Sequence, residues 1–441
     1  MTGEKTSAIG VGLIGCGTVG GGVAKLLRDQ AEVYAQRIGR PIVLRRLLDK
    51  QKDRVIQSGL ADADIVTDDV DSFFDTPDMP IVIELAGGTG AASVFVKRAL
   101  EAGKHVVTAN KALLAKQGPE LFALARKHNA SIAFEASCGG GIPCVTALQF
   151  GLMANRIDAL YGILNGTCNY ILTEMTGKGK TYDKALADAQ KLGYAEADPT
   201  LDVTGGDTAH KITILASLAF GVKLTDDRVP TRGVDRLDLN DLNFGAELGY
   251  DIKLLAIAER QPDGETIGVG VEPCFIHKSD LLAQVDGAFN ALSIYGHAVG
   301  HTLYYGAGAG QMPIASAVAA DVMNIAAGWY PKAFTAMRLT PDLHAPARLA
   351  DPDDLASRYY LRINAMDKPG VIAQATAALG DKGISLSAVL QHETNADNYV
   401  PVVIVTHKAR RGDLLEAVKR IESMDAIEGP PVVIRIVDLP V

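Results

Sequence analysis

Between Gly193 and Ile212 the chain reads GYAEADPTLDVTGGDTAHKI, a stretch that gathers Glu196, Asp198, Asp202, Asp207 and Lys211. Gly205 and Gly206 interrupt the chain, and Ile212, Ile214, Leu215 and Leu218 then restart an apolar helical pattern. Asp207 and Lys211 are four residues apart, so on a helix they share one face. Asp207 also falls in the first turn, where a negative charge suits the helix dipole. A lysine held beside a carboxylate at the start of an apolar helix is either a surface ion pair or a proton donor. The elements elsewhere in the chain have to decide between them.

The first of those elements is a glycine loop. AIGVGLIG (8–15) reads as a short buried strand, and GCGTVGGGVAKLL opens a helix running to about Ala35. Gly15, Gly17 and Gly20 form GxGxxG at that strand-to-helix turn. The first glycine permits the tight turn, the second lets backbone approach a pyrophosphate, and the third lets helix pack on strand. The helix N-terminus then faces the phosphates. A second strand, IVLRRLL (42–48), ends at Asp49, which can accept a bond from a ribose 2′-hydroxyl and favour NAD. Arg45, Arg46, Lys50 and Lys52 crowd the same region, where a cation can hold the 2′-phosphate of NADP. The pattern leaves the choice of cofactor open.

Alternation continues through IVIELAGG (81–88), a helix at 91–103, HVVTANKALLA (105–115), a helix at 119–128 and SIAFEA (131–136). This predicts a parallel doubly wound sheet with ligands at the carboxyl ends of its strands. Lys111 lies just past such an end, a candidate for cofactor or substrate contact or else a solvent-facing lysine. From residue 137 the texture changes. A glycine-rich segment leads to a half-buried strand at 156–164, a helix capped near Asn165 or Thr167, a helix at 181–192, and strand-like runs at 230–235, 267–278 and 290–310. Strands without crossover spacing predict a mainly antiparallel α+β domain. GAGAG (306–310) precedes an alanine-rich helix, so Gly308 and Gly310 are further candidates for close backbone approach to the cofactor. The stripe Ile314, Val318, Val322, Ile325 on that helix reads as core. Residues 331–357 hold four prolines and mixed charges and read as a linker. From Tyr359 onward the order βαββαβ predicts a ferredoxin-like unit.

Composition bounds the reading. The chain has 441 residues, 48% of them hydrophobic and 22% charged, with a net charge of −9. That length predicts two or three domains, and the negative charge argues against nucleic acid as a partner. No apolar run is long enough to span a bilayer, and MTGEKTSAIG has no long apolar h-region of a signal peptide. Cysteines at 16, 138, 144, 168 and 274 are odd in number and form no CxxC, which fits a reducing cytoplasm. His297 and His301 are four apart without a third ligand and read as structural.

Taken in order, GLIGCGTVGGGV, TANKALLA, FEASCGGGIP, ILNGTCNYIL, GYAEADPTLDVTGGDTAHK and GAGAGQMPIASAV resemble homoserine dehydrogenases over nearly the whole chain. DKPGVIAQATAALGDKGIS resembles an ACT domain. The resemblance implies a monofunctional enzyme with three parts: a Rossmann-type nucleotide domain at 1–137 completed by the helix at 311–330, a substrate and dimerisation domain at 138–310, and an ACT domain at 358–441. It implies reversible NAD(P)-dependent interconversion of L-homoserine and L-aspartate 4-semialdehyde, in threonine, methionine and isoleucine biosynthesis. By that resemblance Lys211 is the proton donor and Asp207 its acidic partner. Glu196 binds the substrate amino group with Asp202 nearby, Tyr194, Gly166 and Thr167 contact the amino acid, and Lys111 lies near nicotinamide and substrate. Thr18 and Val19 join the glycine loop around the cofactor. A monovalent cation, sodium, is held by a glutamate and backbone carbonyls, a pattern that falls on Glu135, Cys138, Gly140 and Ile142; carbonyl ligands do not depend on side-chain type, so Cys138 need not use its sulfur. L-threonine is the implied effector of the ACT unit, near Asn364, Asp367, Gly370 and Gln391. A homodimer or homotetramer is the implied assembly.

The residues agree with this chemistry. Reducing an aldehyde takes hydride from a nicotinamide and a proton for the oxygen. A lysine supplies that proton directly or through water, and its charge stabilises the oxyanion. Two rivals remain. One is an aspartate-semialdehyde dehydrogenase using Cys138 as nucleophile, which requires an activated thiolate. The other is a non-catalytic nucleotide or amino-acid sensor.

Overall fold

The computed structural model describes residues 7–392 and 399–440. Residues 1–6, on which part of the leader reading rests, and Glu393, at the end of an expected strand, lie outside the described residues. The chain divides into two compact units. The first comprises Met1–Leu164, Asp207–Val229 and Phe289–Ala347; the second comprises Asn165–Gly206, Pro230–Ala288 and Arg348–Val441.

In the first unit, β1 (Ile9–Ile14), β2 (Ile42–Leu48), β3 (Val66–Thr67), β4 (Ile81–Glu84), β5 (His105–Thr108) and β6 (Ile132–Ala133) form one parallel sheet. Its order is β3-β2-β1-β4-β5-β6, the doubly wound arrangement expected from the sequence. β1 is apolar and buried at every position, as a strand covered on both faces must be. The strand order reverses between β1 and β4, the place where such sheets bind nucleotides. The expected helix from the glycine loop to Ala35 is two helices, Thr18–Asp29 and Ala31–Ile38, separated at Gln30, whose backbone leaves the helical region. The helix Gln311–Ala326 packs on the first of these. A Cβ at Gly22 would stand 2.8 Å from Gln311 Cγ and 3.1 Å from Ala315 Cβ, so the two backbones meet only through glycine. Val318, Val322 and Ile325 are buried in the core.

A second sheet in this unit joins β7 (Ile157–Ile163), β10 (Phe289–Gly296) and β11 (Gly300–Ala307), all antiparallel. β7 is buried at six of its seven positions rather than half-buried. The stretch read as a linker begins as structured chain. Trp329–Ala336 is a helix whose Tyr330 and Phe334 are buried, and Arg126 Nε reaches Asp342 at 2.9 Å. Burial of its aromatic side chains outweighs the prolines that suggested a linker.

In the second unit, β8 (Tyr250–Arg260) and β9 (Ile267–His277) pair antiparallel, and β16 (Ile427–Val437) runs parallel to β9. β16 also belongs to the C-terminal unit with β12 (Ala356–Met366), β13 (Leu386–Gln391) and β14 (Tyr399–Thr406), in the order β16-β12-β14-β13. The helices Val371–Gly380 and Arg411–Glu422 complete βαββαβ around Leu361, Ile363, Leu379, Val402, Ile404 and Leu414. β15 (Ala409–Arg410) is a short addition paired with β12. β8 escaped the sequence reading because its run LLAIA (254–258) suits a buried strand or a buried helix equally. Among the described residues no helix is long and apolar enough to cross a membrane.

Candidate active site

The glycine loop is built as the spacing requires. Gly15 has φ +90°, and a Cβ on Gly20 would lie 2.0 Å from the Gly15 carbonyl oxygen, so neither tolerates a side chain. A Cβ on Gly17 would meet nothing within 4 Å, which leaves that side open to an approaching group. The helix Thr18–Asp29 has Gly17 as its N-cap and no side-chain cap. Its first amide groups are therefore available to an anion, so the loop fits a pyrophosphate. Thr18 and Val19 stand in this first turn, where the Thr18 carbonyl accepts Gln311 Nε2 at 2.9 Å.

Asp49 stands at the tip of β2, but its carboxylate also braces the loop. It accepts the Cys16 amide at 2.6 Å and the Gln51 amide at 2.7 Å. Of the cations named near it, Arg46 is committed elsewhere, to the Asp64 carbonyl and Ser72 Oγ. Lys50 is exposed. The cation that reaches the loop is one the sequence reading passed over: Arg54 Nη2 donates to the Cys16 carbonyl at 3.2 Å.

At the carboxyl ends of β4 and β5 the organiser is Glu84, also not singled out from the sequence. It is fully buried and accepts the amides of Ala86 and Gly87 and the hydroxyl of Thr108. Thr108 in turn accepts the Asn110 amide at 3.0 Å. Asn110 caps the helix Lys111–Lys127 through the Leu113 amide. This chain of bonds fixes Lys111 as the first helical residue. Its Nζ lies 3.1 Å from Asp207 Oδ1.

Asp207 starts the helix Gly206–Phe220 and is buried. Its other oxygen, Oδ2, accepts Lys211 Nζ at 2.7 Å, and the same ammonium donates to the Leu164 carbonyl at 2.6 Å. Lys211 is 8% exposed, which removes the surface-ion-pair reading. An ammonium has three donors and these bonds use two of them. One proton stays in a fixed direction. Beside it, His210 Nε2 lies 3.1 Å from Asp226, and burial holds its imidazole below the usual histidine range.

Glu135 follows β6 and is buried, its carboxylate accepting the amides of Val145 and Thr146 at 2.9 and 2.7 Å. Burial raises its carboxyl above the ordinary range. Gly139 and Gly140 have φ +69° and +59°, and a Cβ on Gly140 would lie 2.4 Å from the Gly308 carbonyl oxygen. The Ile142 carbonyl accepts the Cys144 amide at 2.8 Å. With the Glu135 side chain committed to amides, any cation here would rest on carbonyl oxygens. Among the described residues no group of three His, Cys, Asp or Glu is placed to hold a metal ion. His297 Nδ1 accepts the Arg156 amide, while His301 lies 3.0 Å from Ser293 Oγ and stacks on Tyr295. Cys138 is fully buried, and burial pushes its thiol up to about 12. Such a thiol is a poor nucleophile.

Asn290, on β10, is another residue that no sequence signal marked. It is 1% exposed, packs against Gly308, and neither Oδ1 nor Nδ2 has a partner among the described residues. Gly310 has φ +114° and caps the helix Gln311–Ala326.

In the second unit, Asn165 caps the helix Gly166–Lys178 through the Cys168 amide at 2.8 Å. A Cβ on Gly166 would lie 2.6 Å from the Ala288 carbonyl oxygen, so glycine is required there. Asp202 accepts Asn165 Nδ2 at 2.8 Å and faces Thr167 Oγ1 at 3.3 Å. The Thr167 hydroxyl has one proton, and its nearer acceptor is the Tyr194 carbonyl at 2.6 Å. Thus Asp202, Thr167, Asn165 and Tyr194 form one network. Glu196 is exposed, and its carboxylate has no partner among the described residues.

Three family models match this chain. The description "Homoserine dehydrogenase, NAD binding domain" fits residues 15–135, "Homoserine dehydrogenase" fits 143–323 and "ACT domain" fits 359–423. The homoserine dehydrogenase of Pseudomonas aeruginosa is 43% identical over 97% of this chain and 99% of its own length. That of Bacillus subtilis is 36% identical over 96% of each. The crystal structure of a homoserine dehydrogenase from Thiobacillus denitrificans superposes with a TM-score of 0.92 at 42% identity, covering 99% of this chain and all of that one. Similarity at that level over the full length, with a nucleotide loop fit for pyrophosphate and a buried lysine held between a carboxylate and a backbone carbonyl, makes the chain a member of the homoserine dehydrogenase family of NAD(P)-dependent oxidoreductases.

Proposed function

We propose that this protein interconverts L-aspartate 4-semialdehyde and L-homoserine with NAD(P), and that Lys211 is the proton donor. The observation that carries the assignment to Lys211 is its ammonium, buried and fixed between Asp207 and the Leu164 carbonyl. The nicotinamide cofactor, when bound, exchanges hydride with the carbonyl carbon. The residues of the chain handle charge and protons. In the reducing direction the carbonyl oxygen gains negative charge and then a proton, and Lys211 supplies both stabilisation and proton, directly or through one water. Asp207 orients both Lys211 and Lys111 toward their tasks. Glu196 and Asp202 take the substrate α-ammonium, Thr167, Gly166 and Tyr194 hold the amino-acid end, and Lys111 adds a cation near the carboxylate and nicotinamide. Gly15, Gly17, Thr18, Val19 and Gly20 receive the pyrophosphate, Asp49 and Lys50 border the ribose, and Gly308 and Gly310 give backbone access beside the nicotinamide. Sodium rests on carbonyls of Glu135, Cys138, Gly140 and Ile142.

L-threonine is the proposed effector, near the Gly370 turn, where Gln391 Nε2 meets Asp367 at 3.4 Å. A homodimer or homotetramer is the proposed assembly. Its support is β11, which ends its sheet and carries the exposed Tyr305 stacked on Phe289. Five free, buried cysteines suit a reducing cytoplasm.

The test is the initial rate of homoserine oxidation with NAD+ and with NADP+, each with and without L-threonine. Turnover with either cofactor supports the reading. No turnover with both sinks it and favours a nucleotide sensor. Loss of turnover in Lys211→Ala with cofactor binding retained supports the role of the lysine; unchanged turnover removes it.

A further inference from the structure

Asn290 has no role in the chemistry above, yet it stands where that chemistry is assembled. It is the second residue of β10 and shares a strand face with Leu292 and Ile294, both fully buried. On one side β10 runs antiparallel to β7 with Ala291 opposite Ile163, so Asn290 lies beside the strand end that continues into Leu164. The Leu164 carbonyl is the one that holds Lys211 Nζ. On the other side Asn290 is opposite Gly306 of β11. A Cβ on Gly308 would fall 2.0 Å from Asn290 Cγ and Nδ2 and 2.4 Å from Oδ1, so the face of the carboxamide rests on the bare α-carbon of Gly308. The Ala307 carbonyl is fastened to the Gly141 amide at 3.0 Å, and beyond it two glycines, Gly308 and Gly310, give the turn backbone freedom. Oδ1 and Nδ2 of Asn290 are both buried and have no partner among the described residues. A buried donor and acceptor left unpaired cost free energy that a valine on the same strand would not.

We propose that Asn290 is a cofactor-binding residue whose carboxamide pairs with the carboxamide of the nicotinamide. The inference rests on the reading that places Gly308 beside the nicotinamide. A donor and an acceptor side by side call for a partner that presents an acceptor and a donor side by side. A primary carboxamide does so. An aldehyde carbonyl offers an acceptor alone, and an α-ammonium offers donors alone, so neither satisfies both atoms of Asn290. Asn290 is 1% exposed, so the pairing goes with a shift of Gly308 off the carboxamide. The bond then fixes which face of the nicotinamide ring is turned toward Lys211.

The test is calorimetric titration of the full chain with NAD+ or NADP+, whichever the parent binds more tightly, with its 3-acetylpyridine analogue and with the matching ADP-ribose. The analogue keeps the carbonyl acceptor and carries a methyl group in place of the amide nitrogen. The parent binds the analogue about tenfold more weakly than the dinucleotide. Asn290→Val and Asn290→Ala each weaken the dinucleotide by about tenfold, close the gap to the analogue to within about twofold, and leave ADP-ribose within about twofold of the parent. Circular dichroism checks each variant, and if one is unfolded the other decides. The proposal is overturned if a folded variant binds the dinucleotide as the parent does, the result expected of a carboxamide that serves only an internal water. It is also overturned if the gap to the analogue survives in the variants. If ADP-ribose weakens as much as the dinucleotide, or both variants are unfolded, Asn290 is a brace for the fold and the proposal falls. A parent that binds no dinucleotide sinks the oxidoreductase reading as well, whereas a parent that binds with variants that match it sinks this inference alone.

Discussion

Two buried carboxylates, one in each unit, are built from similar parts and do different work. In the first unit Asp207 holds two lysines, Lys111 and Lys211. In the second, Asp241 takes both arms of Arg362, at 2.5 and 2.9 Å, and the Tyr360 hydroxyl at 2.8 Å. The planar guanidinium matches the carboxylate edge and is locked by it. Asp241 ties β12 to the helix Leu239–Glu247, through a guanidinium that does not give up its proton. Lysine is a point charge with three rotatable donors. At Asp207 it is oriented without being used up. A staple and a proposed proton donor are separated by the choice of cation.

The largest effect that sharpens this contrast is at Lys211. Lys211→Met should lower kcat by about a hundredfold to ten-thousandfold, the usual worth of a positioned acid with its charge. The melting temperature should stay near that of the parent, since Lys111 still balances Asp207. A large stability loss with unchanged kcat would make this cluster a staple too. The converse experiment is Arg362→Met. Leaving Asp241 buried without its cation should cost about 3–5 kcal/mol of unfolding free energy. Turnover at a temperature where the variant is folded should be unchanged. Denaturant unfolding and kcat read the two quantities separately.

How much of this was legible in the sequence follows from the range of the contacts involved. The glycine loop was readable because its chemistry lies in nearby residues: Gly15 and Gly20 meet across one turn, with Gly17 open between them. Asp207 and Lys211 were readable for the same reason, four apart on one helix. Glu84 was not, because its value lies in Thr108 and Asn110, which only strand pairing brings to it. Asn290 gave no signal, since one asparagine in an apolar strand is unremarkable until Gly308 packs against it. β8 was missed because an unbroken apolar run has no period. Arg54 was missed because attention stopped at the tip of β2, while the short helix that follows returns Arg54 to the loop.

That omission gives the next prediction. Arg54 is exposed and already beside the glycine loop, so it is the guanidinium best placed to meet a ribose 2′-phosphate. Arg54→Ala should lower the ratio of kcat/KM for NADP+ over NAD+ by about tenfold, with NAD+ little affected. Equal loss with both cofactors would make Arg54 a brace for the loop. Cys138→Ser should change kcat by less than about twofold, and iodoacetamide should leave turnover intact. Inactivation by iodoacetamide would revive the thiolate rival.

The smallest effect concerns pH, and it too separates the two clusters. His210 neighbours Lys211, and burial lowers its imidazole below the ordinary histidine value of 6.5, against the opposing pull of Asp226 and Asp207. Lys111 and Lys116 also act to lower it. As the folded-state value is depressed, the unfolded chain takes up a proton first as pH falls. Stability is therefore complete above the ordinary histidine value and declines as pH drops below it toward the folded value. In the Asp241 cluster, burial raises the Tyr360 phenol and the hydrogen bond to Asp241 raises the Arg362 guanidinium, so neither changes charge in this window. Melting temperatures from about pH 8 to about pH 5.5 should therefore fall more steeply for the parent than for His210→Gln. In Arg362→Met the slope should match the parent at a lower melting temperature throughout. Parallel curves for the parent and His210→Gln would mean that His210 keeps its ordinary affinity for protons. The slope would then have to come from other groups.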